Sequence, residues 1–333
     1  MEKRKLGNSD LQVSVLGLGC WPLGGGPGWG DQDEADSIAA VHAALAAGIT
    51  LFDTAEGYNS GRSEGVLGAA LEGRRHEAVI ATKVSPHNTA PATLRAHCEA
   101  SLRRLQTDYV DLYQVHWPIT EHSTEDAFAT LLDLKSEGKI RAIGVSNFGI
   151  MNLPPALAIG ASIVSNQLNY SLLWRAIEES IMPICQDHGV SILAYMPLMQ
   201  GLLVGTWKAP EEVPEFRRRT RHFDSRRPGA RHGEAGAEEL TFQTLERIRA
   251  IADQAGISMP HLALAWVAAR PGVAGVLVGG RKAYQIERNA KAADIRLSAD
   301  TIKALDAATE KLRIVLGPNA DAFQGAEGTR IPF

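Results

Sequence analysis

Four side chains that can hold or move a proton follow three successive apolar runs of the sequence. Asp53 ends one run and Tyr58 lies five residues beyond it, Lys83 ends the next run, and His116 ends the third. Taken singly, such an aspartate most often caps a helix, such a lysine is most often solvated, and such a histidine most often packs in a core. Because they occur together, we interpret the four residues as one chemical unit.

This unit suits proton donation to a carbonyl group. A free phenol has a pKa near ~10, which makes it too weak an acid for fast proton transfer at neutral pH. A neighbouring ammonium stabilises the phenolate and lowers that pKa, so we expect Lys83 to activate Tyr58 and Asp53 to hold Lys83 charged and in place. His116 is expected to hydrogen-bond the substrate oxygen and orient it. The electrons would come from a bound cofactor.

The elements that must position these residues are eight short apolar runs, separated by longer helical patterns. The runs are continuous rather than alternating in polarity, as is typical of strands covered on both faces. They are Val15–Gly19, Ile49–Asp53, Val79–Lys83, Val110–His116, Ile140–Ser146, Ile163–Gln167, Val190–Tyr195 and Val276–Gly279. Eight strand–helix units in series predict an α/β fold of the (β/α)8 TIM-barrel type, in which all carboxyl ends of the strands surround one mouth.

The competing fold is an open, doubly wound sheet, which calls for a Gly-x-Gly-x-x-Gly turn after its first strand. The residues from Gly17 to Pro22 do not match that pattern. Ahead of the first run, Arg4–Leu6 and Leu11–Val13 flank a cluster of turn-forming residues and predict a small β-hairpin. We therefore expect residues 1–333 to form one barrel domain with an N-terminal hairpin, a long loop over about 200–240 and a tail over about 317–333.

Composition and charge narrow the class of protein. A formal net charge of −4 argues against a nucleic-acid partner, which would call for a basic surplus. The three cysteines are scattered and form no CxxC pair, so neither a disulfide framework nor a metal site is predicted. Apolar runs stay short of the ~18 residues needed to span a bilayer, and no signal peptide is recognisable. A cytoplasmic protein without a membrane partner is expected, and its oligomeric state is left open.

Several motifs, in order along the chain, resemble those of the aldo-keto reductases. They are Asp53–Tyr58, Lys83, Gln114–Pro118, Gly144–Phe148, Gln167–Tyr170 and Ala194–Leu198. The resemblance extends from Leu6 to about Leu312. It implies an NADP(H)-dependent oxidoreductase, with NAD(H) possible, that interconverts small carbonyl compounds and alcohols. It also implies a catalytic tetrad of Asp53, Tyr58, Lys83 and His116, with Tyr58 as the general acid/base.

The resemblance further implies which residues meet the cofactor and the substrate. Those expected to contact the cofactor are Cys20, Trp21, Asp53, Ser146, Asn147, Gln167, Tyr195, Met196, Pro197, Leu198, Gln200, Gly201, Gly279, Arg281, Gln285 and Asn289. Those expected to contact the substrate are Trp21, Tyr58, His116 and Trp117. Two positions depart from the family pattern, since Met196 replaces a common Ser and Arg288 replaces a common Glu. Within the adenosine-binding stretch, Arg281 is expected to bind a 2′-phosphate and favour NADP(H) over NAD(H).

The predicted loop after the seventh run carries seven arginines between positions 217 and 231, against one aspartate. One hypothesis is a lid over the cofactor, with Lys208 or Arg221 reaching the pyrophosphate. The alternative is a solvated loop whose arginines pair with nearby glutamates. The tail likewise has two interpretations, either lining the substrate pocket or being disordered.

One function of a different class stays open at this point. The β-subunits of voltage-gated potassium channels have the same fold, and they retain the tetrad. A cofactor-binding regulatory subunit is therefore the alternative to a metabolic enzyme, because fold and tetrad do not discriminate between the two.

Overall fold

Eight parallel strands close into a barrel in the computed structural model, which describes residues 1–26 and 28–333. The N-terminal strands β1 (Lys3–Lys5) and β2 (Gln12–Ser14) form a separate antiparallel hairpin. The barrel strands are β3 (Leu16–Gly19), β4 (Leu51–Asp53), β5 (Val79–Val84), β6 (Val110–Val115), β7 (Ile140–Ser146), β8 (Ile163–Asn169), β9 (Ser191–Tyr195) and β10 (Val273–Gly279). β10 pairs with both β3 and β9 and completes the ring, which confirms the predicted (β/α)8 barrel and its hairpin.

Helices alternate with these strands. They are α1 (Glu34–Ala46), α2 (Arg62–Ala70), α3 (Pro91–Leu105), α4 (Thr124–Ser136), α5 (Leu153–Ala158), α6 (Ile181–Asp187), α7 (Glu238–Ala255), α8 (Met259–Ala268), α9 (Ala283–Ala290) and α10 (Ala299–Leu316). Capping residues determine where several helices begin. The side chains of Asp33, Ser123 and Ser298 each accept a hydrogen bond from a backbone N–H of the first helical turn that follows. Within residues 1–26 and 28–333, no helix combines the length and the apolar character needed to cross a membrane.

The interior of the barrel is apolar at one end and polar at the other. Leu6, Leu11 and Val13 of the hairpin are buried against strand residues such as Leu51 and Leu193 and close the amino-terminal end of the barrel. The polar residues of the interior lie toward the opposite end, where each strand finishes. Register places Asp53 beside Gly19 of β3 and Ala81 of β5, so the candidate catalytic residues share one mouth.

The tail after α10 is tied to the body of the protein. The indole Nε1 of Trp174 donates to the carbonyl of Ala320 at 3.2 Å, and the backbone N–H of Arg221 donates to the carbonyl of Ala322 at 2.8 Å. Ile331 is buried. Of the two interpretations of the tail, the structure therefore supports an ordered segment, and two of its residues, Phe323 and Arg330, line the cavity at the barrel mouth.

Candidate active site

Lys83 joins the candidate acid to the candidate carboxylate. Its Nζ donates to Asp53 Oδ1 at 2.6 Å, to the carbonyl of Thr54 at 2.8 Å and to the Tyr58 hydroxyl at 3.1 Å. Lys83 is completely buried, so its three ammonium protons are all used on these partners. Strand β4, the loop that follows it and strand β5 thus bring an aspartate, a phenol and an ammonium into one hydrogen-bonded chain.

Two amides hold the other oxygen of the aspartate. Asp53 Oδ2 accepts from Gln167 Nε2 at 2.7 Å and from Gln114 Nε2 at 3.3 Å. Gln114 was not predicted as a site residue. The available signal was its position two residues before His116 in the run Val110–His116, because alternate residues of a strand face the same side.

His116 lies beside the phenol. The centroids of the His116 and Tyr58 rings are 5.7 Å apart at 75°, and the Trp21 ring stacks on Tyr58 with centroids 5.8 Å apart. Burial, together with the charges of Lys83 and Arg330, holds the pKa of His116 well below its usual value. The imidazole is therefore neutral at physiological pH and carries one N–H that can donate to a substrate oxygen.

Burial raises the pKa of Tyr58 above its usual value, and the Lys83 ammonium acts in the opposite direction. Lys83 thus acts on the pKa of Tyr58 in the expected direction. The net lowering expected from the sequence is nevertheless wrong, because the loss of hydration on burial outweighs the nearby charge. Burial would lower the pKa of Lys83, but Asp53 and Tyr58 together raise it, so Lys83 remains an ammonium. At neutral pH the phenol is protonated and ready to donate.

These residues open onto a cavity of about 760 Å³. It contains most of the predicted cofactor and substrate residues: Trp21, Asp53, Tyr58, His116, Trp117, Ser146, Asn147, Gln167, Tyr195, Met196, Pro197, Leu198, Gln200, Gly201, Gly279, Arg281, Gln285 and Asn289. The structure thus brings together around one cavity residues that the resemblance had implied, and their contacts with cofactor and substrate stay a prediction.

Three predicted cofactor residues lie outside the cavity lining. Cys20 is completely buried, and its Sγ lies 3.5 Å from the carbonyl of Leu18. Lys208 is exposed on the surface. Arg221 is buried, and its guanidinium donates to the carbonyls of Asn319 at 3.0 Å and Leu316 at 2.7 Å. Because Arg221 fastens the tail, its guanidinium is not available for the pyrophosphate contact predicted for it, whereas the roles of Cys20 and Lys208 stay predictions.

Other arginines of the same loop do line the cavity. Arg217, Arg219 and Arg231 all contribute to it, and none of them forms an ion pair within residues 1–26 and 28–333. Burial without a counter-ion lowers the pKa of Arg217. The remaining arginines of the cluster include Arg226 and Arg227, which pair with acidic side chains on the surface. Some arginines of the loop thus face the cavity and others pair with acidic side chains, while the role of the loop as a lid stays a prediction.

The polar side chains at the ends of β7, β8 and β9 are linked to each other. Ser146 Oγ donates to the carbonyl of Gln167 at 3.0 Å, and the Tyr195 hydroxyl donates to Asn147 Oδ1 at 2.8 Å. Asn147 adopts a left-handed backbone conformation with φ of 63°, which is costly for most non-glycine residues but tolerated by asparagine. The amides are thus held in fixed orientations facing the cavity.

Arg281 is bound by the loop after β3. Its guanidinium donates to Gln32 Oε1 and to the carbonyl of Trp29, both at 2.6 Å, and also to the carbonyl of Asp31. Gln285 Oε1 accepts the backbone N–H of Arg281 at 2.8 Å and helps to start α9. Arg281 therefore lines the cavity with part of its donor capacity already used, since a guanidinium has five N–H groups.

The cavity has the features needed by an anionic dinucleotide. Buried oxygens of Gln200 and Asn289 face no hydrogen-bond partner within the described chain, and both residues line the cavity. Gly201 has φ of 101°, and a Cβ there would crowd Trp207 and Arg217. Positive charge suits the two phosphates of a dinucleotide, and free amide oxygens can accept hydrogen bonds from the polar rings on either side of them.

The model of the Aldo/keto reductase family matches residues 15–310. The chain is 34% identical over 330 residues to an NADH-specific methylglyoxal reductase of Escherichia coli, covering 90% of this chain and 95% of the relative. It is 37% identical over 297 residues to an aldo-keto reductase of Bacillus subtilis, covering 86% and 87%.

Solved structures agree with these sequence matches. A glycerol dehydrogenase of Gluconobacter oxydans superposes with a TM-score of 0.81 at 29% identity, over 95% of this chain and 96% of that one. An aldo-keto reductase of Klebsiella pneumoniae, solved with NADPH, superposes with a TM-score of 0.72 at 31% identity, over 92% and 95%. The chain therefore belongs to the aldo-keto reductase family and is an NAD(P)H-dependent oxidoreductase.

Proposed function

We propose that the protein interconverts aldehydes or ketones and the corresponding alcohols with NADP(H), and that Tyr58 gives and takes the proton. The observation that carries this proposal is the chain from Asp53 through Lys83 to the Tyr58 hydroxyl, with contacts of 2.6 and 3.1 Å at the wall of an arginine-lined cavity. The relatives differ in their nicotinamide cofactor, because the Escherichia coli protein is named NADH-specific and the Klebsiella pneumoniae structure holds NADPH.

The residues present would hold such a cofactor along the cavity. Tyr195, Asn147 and Gln167 would receive the nicotinamide end, and Arg281 and Asn289 the adenosine end. A bound cofactor of this class supplies or accepts the hydride. The chain itself then has to bind the carbonyl oxygen, provide the proton and exclude water.

Proton transfer falls to Tyr58. A substrate oxygen placed between the Tyr58 hydroxyl and the neutral His116 ring would accept a hydrogen bond from each. As the phenol gives up its proton, the Lys83 ammonium at 3.1 Å stabilises the resulting phenolate. Asp53 keeps Lys83 charged throughout. For alcohol oxidation the phenolate takes the proton back, by the reverse path.

The loop over 200–240 is proposed to close over the cofactor. A Cβ on Gly28 would overlap the ring of Phe216, so the loop after β3 and the long loop meet there. Arg217 lies 5.9 Å from the Trp29 ring and 5.6 Å from the Trp207 ring. Arg217 rather than Lys208 or Arg221 is therefore proposed to reach the pyrophosphate.

A turnover assay tests the proposed activity. The purified protein is mixed with NADPH or NADH and a panel of small aldehydes, sugars and polyols, and absorbance at the NAD(P)H band is followed. We expect loss of absorbance with reactive aldehydes and NADPH, and a slower loss with NADH. Absence of cofactor oxidation with every reactive aldehyde would contradict the proposal.

A further inference from the structure

We propose that Arg330 forms an anion subsite beside the catalytic residues, so that the preferred carbonyl substrates carry a carboxylate on an apolar body. This inference rests on the proposed carbonyl reduction and adds the substrate class to it. Arg330 lies in the tail, three residues before the last residue Phe333, and the sequence motifs assign it no role.

The tail brings Arg330 to the catalytic wall of the cavity. Its guanidinium lies over the ring of Trp117, 3.8 Å from the centroid. Trp117 directly follows His116, whose ring neighbours Tyr58. A ligand held by Arg330 would therefore sit along the wall that contains the proton donor.

One edge of the guanidinium is fixed and another is free. Arg330 Nε and Nη2 donate to the two oxygens of Asp321 at 2.7 and 2.8 Å, and Asp321 is 1% exposed. Nη1 has no partner within residues 1–26 and 28–333, and 39% of the Arg330 side chain is exposed. Because a guanidinium is a planar fork of five N–H groups, the edge formed by Nη1 and Nη2 can still bind a carboxylate.

The charge of the cavity favours an anion. Six arginines line it, while Asp53, already paired with Lys83, is the single acidic residue of the lining within the described chain. This contrasts with the formal net charge of −4 for the whole protein. A cavity lined by one sign of charge concentrates ligands of the other sign. The proposed dinucleotide site uses the arginines of the long loop together with Arg281 and Arg288, but it assigns no role to Arg330 beside Trp117.

Other parts of the cavity lining are aromatic. Trp21 and Trp29 pack edge to face with centroids 5.6 Å apart, and Trp21 stacks on Tyr58. Phe323, from the same tail as Arg330, also lines the cavity. Flat apolar surfaces of this kind bury a hydrocarbon or ring, so the matching substrate is an apolar aldehyde or ketone ending in a carboxylate.

The competing role of Arg330 is purely structural, since its pair with Asp321 also holds the tail. The two roles of Arg330 are distinguished by comparing kcat/KM for two aldehydes of nearly equal shape, 4-carboxybenzaldehyde and methyl 4-formylbenzoate. With NADPH we expect the wild type to have a higher kcat/KM for the carboxylate. Arg330→Met should lower kcat/KM for the carboxylate by about tenfold or more and for the ester by less than about threefold. Arg330→Lys should retain part of the preference, because it keeps the charge but not the fork.

An equal loss for both aldehydes in Arg330→Met, or no preference for the carboxylate in the wild type, would overturn the subsite. A second readout is independent of turnover: benzoate and its neutral analogue benzamide are titrated into the NADP⁺ complex, and the fluorescence of the tryptophans is followed. Benzoate should bind the wild type and be lost in Arg330→Met, with benzamide unaffected. Failure to reduce either aldehyde would count against the proposed function, and the benzoate titration would then decide the subsite alone.

Discussion

Tyr58 combines two opposing influences that together explain its chemistry. Burial raises its pKa and keeps the phenol protonated over the neutral range, whereas the Lys83 ammonium at 3.1 Å favours the phenolate. A proton donor for carbonyl reduction has to be protonated before the reaction and stabilised after it. The environment of Tyr58 provides the first through burial and the second through Lys83.

The direction of these pKa shifts predicts the pH dependence of both reactions. Carbonyl reduction needs the phenol, so its kcat should be flat across neutral pH and fall only at alkaline pH, because burial raises the pKa of Tyr58 above the ordinary value of a tyrosine. Alcohol oxidation needs the phenolate and should increase with pH over the same range. Lys83→Met removes the charge that opposes burial, so the rise of the oxidation rate should move to higher pH. Profiles of kcat for both directions measure this, and an unmoved profile would contradict the role of Lys83.

At the scale of elements, the ends of the strands could be predicted, but the contacts of the long loop could not. Asp53, Lys83 and His116 follow apolar strands, and the closed barrel forces such positions onto one mouth. The seven arginines between 217 and 231 have no such constraint, because the direction of each side chain depends on where the loop packs. The sequence therefore predicts Arg221 as a contact to the pyrophosphate. In the structure Arg221 instead binds the tail, and Arg217 lines the cavity.

Arg217→Ala tests the lid. Removing a guanidinium from two phosphates should weaken NADPH binding by about tenfold, as measured by fluorescence titration. Arg226→Ala is the matched control, because Arg226 belongs to the same cluster but is exposed and paired with Asp224. Amide exchange over 200–240 should also slow when NADPH is saturating. The same exchange rates with and without NADPH would contradict closure of the loop.

Arg281→Ala tests the cofactor preference. If the free N–H groups of Arg281 bind a 2′-phosphate, affinity should fall for NADPH by about tenfold and much less for NADH. The alternative is that Arg281 only holds the loop after β3, through its hydrogen bonds to Gln32 and to the carbonyl of Trp29. Equal losses for NADPH and NADH in the two titrations would support that alternative.

At the scale of the whole molecule, the contacts that hold the tail in place also position residues of the cavity lining. Arg221 donates to the carbonyls of Leu316 and Asn319 and pairs with Glu234, and the segment so held carries Phe323 and Arg330 into the cavity. The sequence could not settle whether this tail was ordered, because the contacts that order it join residues about 95 positions apart. Burial of Ile331 adds to the same attachment.

Arg221→Met should therefore destabilise the fold. It leaves buried carbonyls without a donor, so the free energy of unfolding should fall by about 2–3 kcal/mol in urea denaturation. Arg226→Ala, which changes an exposed arginine of the same loop, should alter it by less than about 0.5 kcal/mol. Equal stability of Arg221→Met and the wild type would show that Arg221 does not hold the tail.

The most direct measurement of the central claim is turnover by Tyr58→Phe, which removes one hydroxyl and leaves the ring stacked on Trp21. With NADPH and a reactive aldehyde, kcat should fall by ~10²-fold or more, since a positioned proton donor is lost. The dissociation constant of NADPH should stay within about threefold of the wild type, which shows that the cavity is intact. Turnover close to that of the wild type would contradict the assignment of Tyr58 as the proton donor.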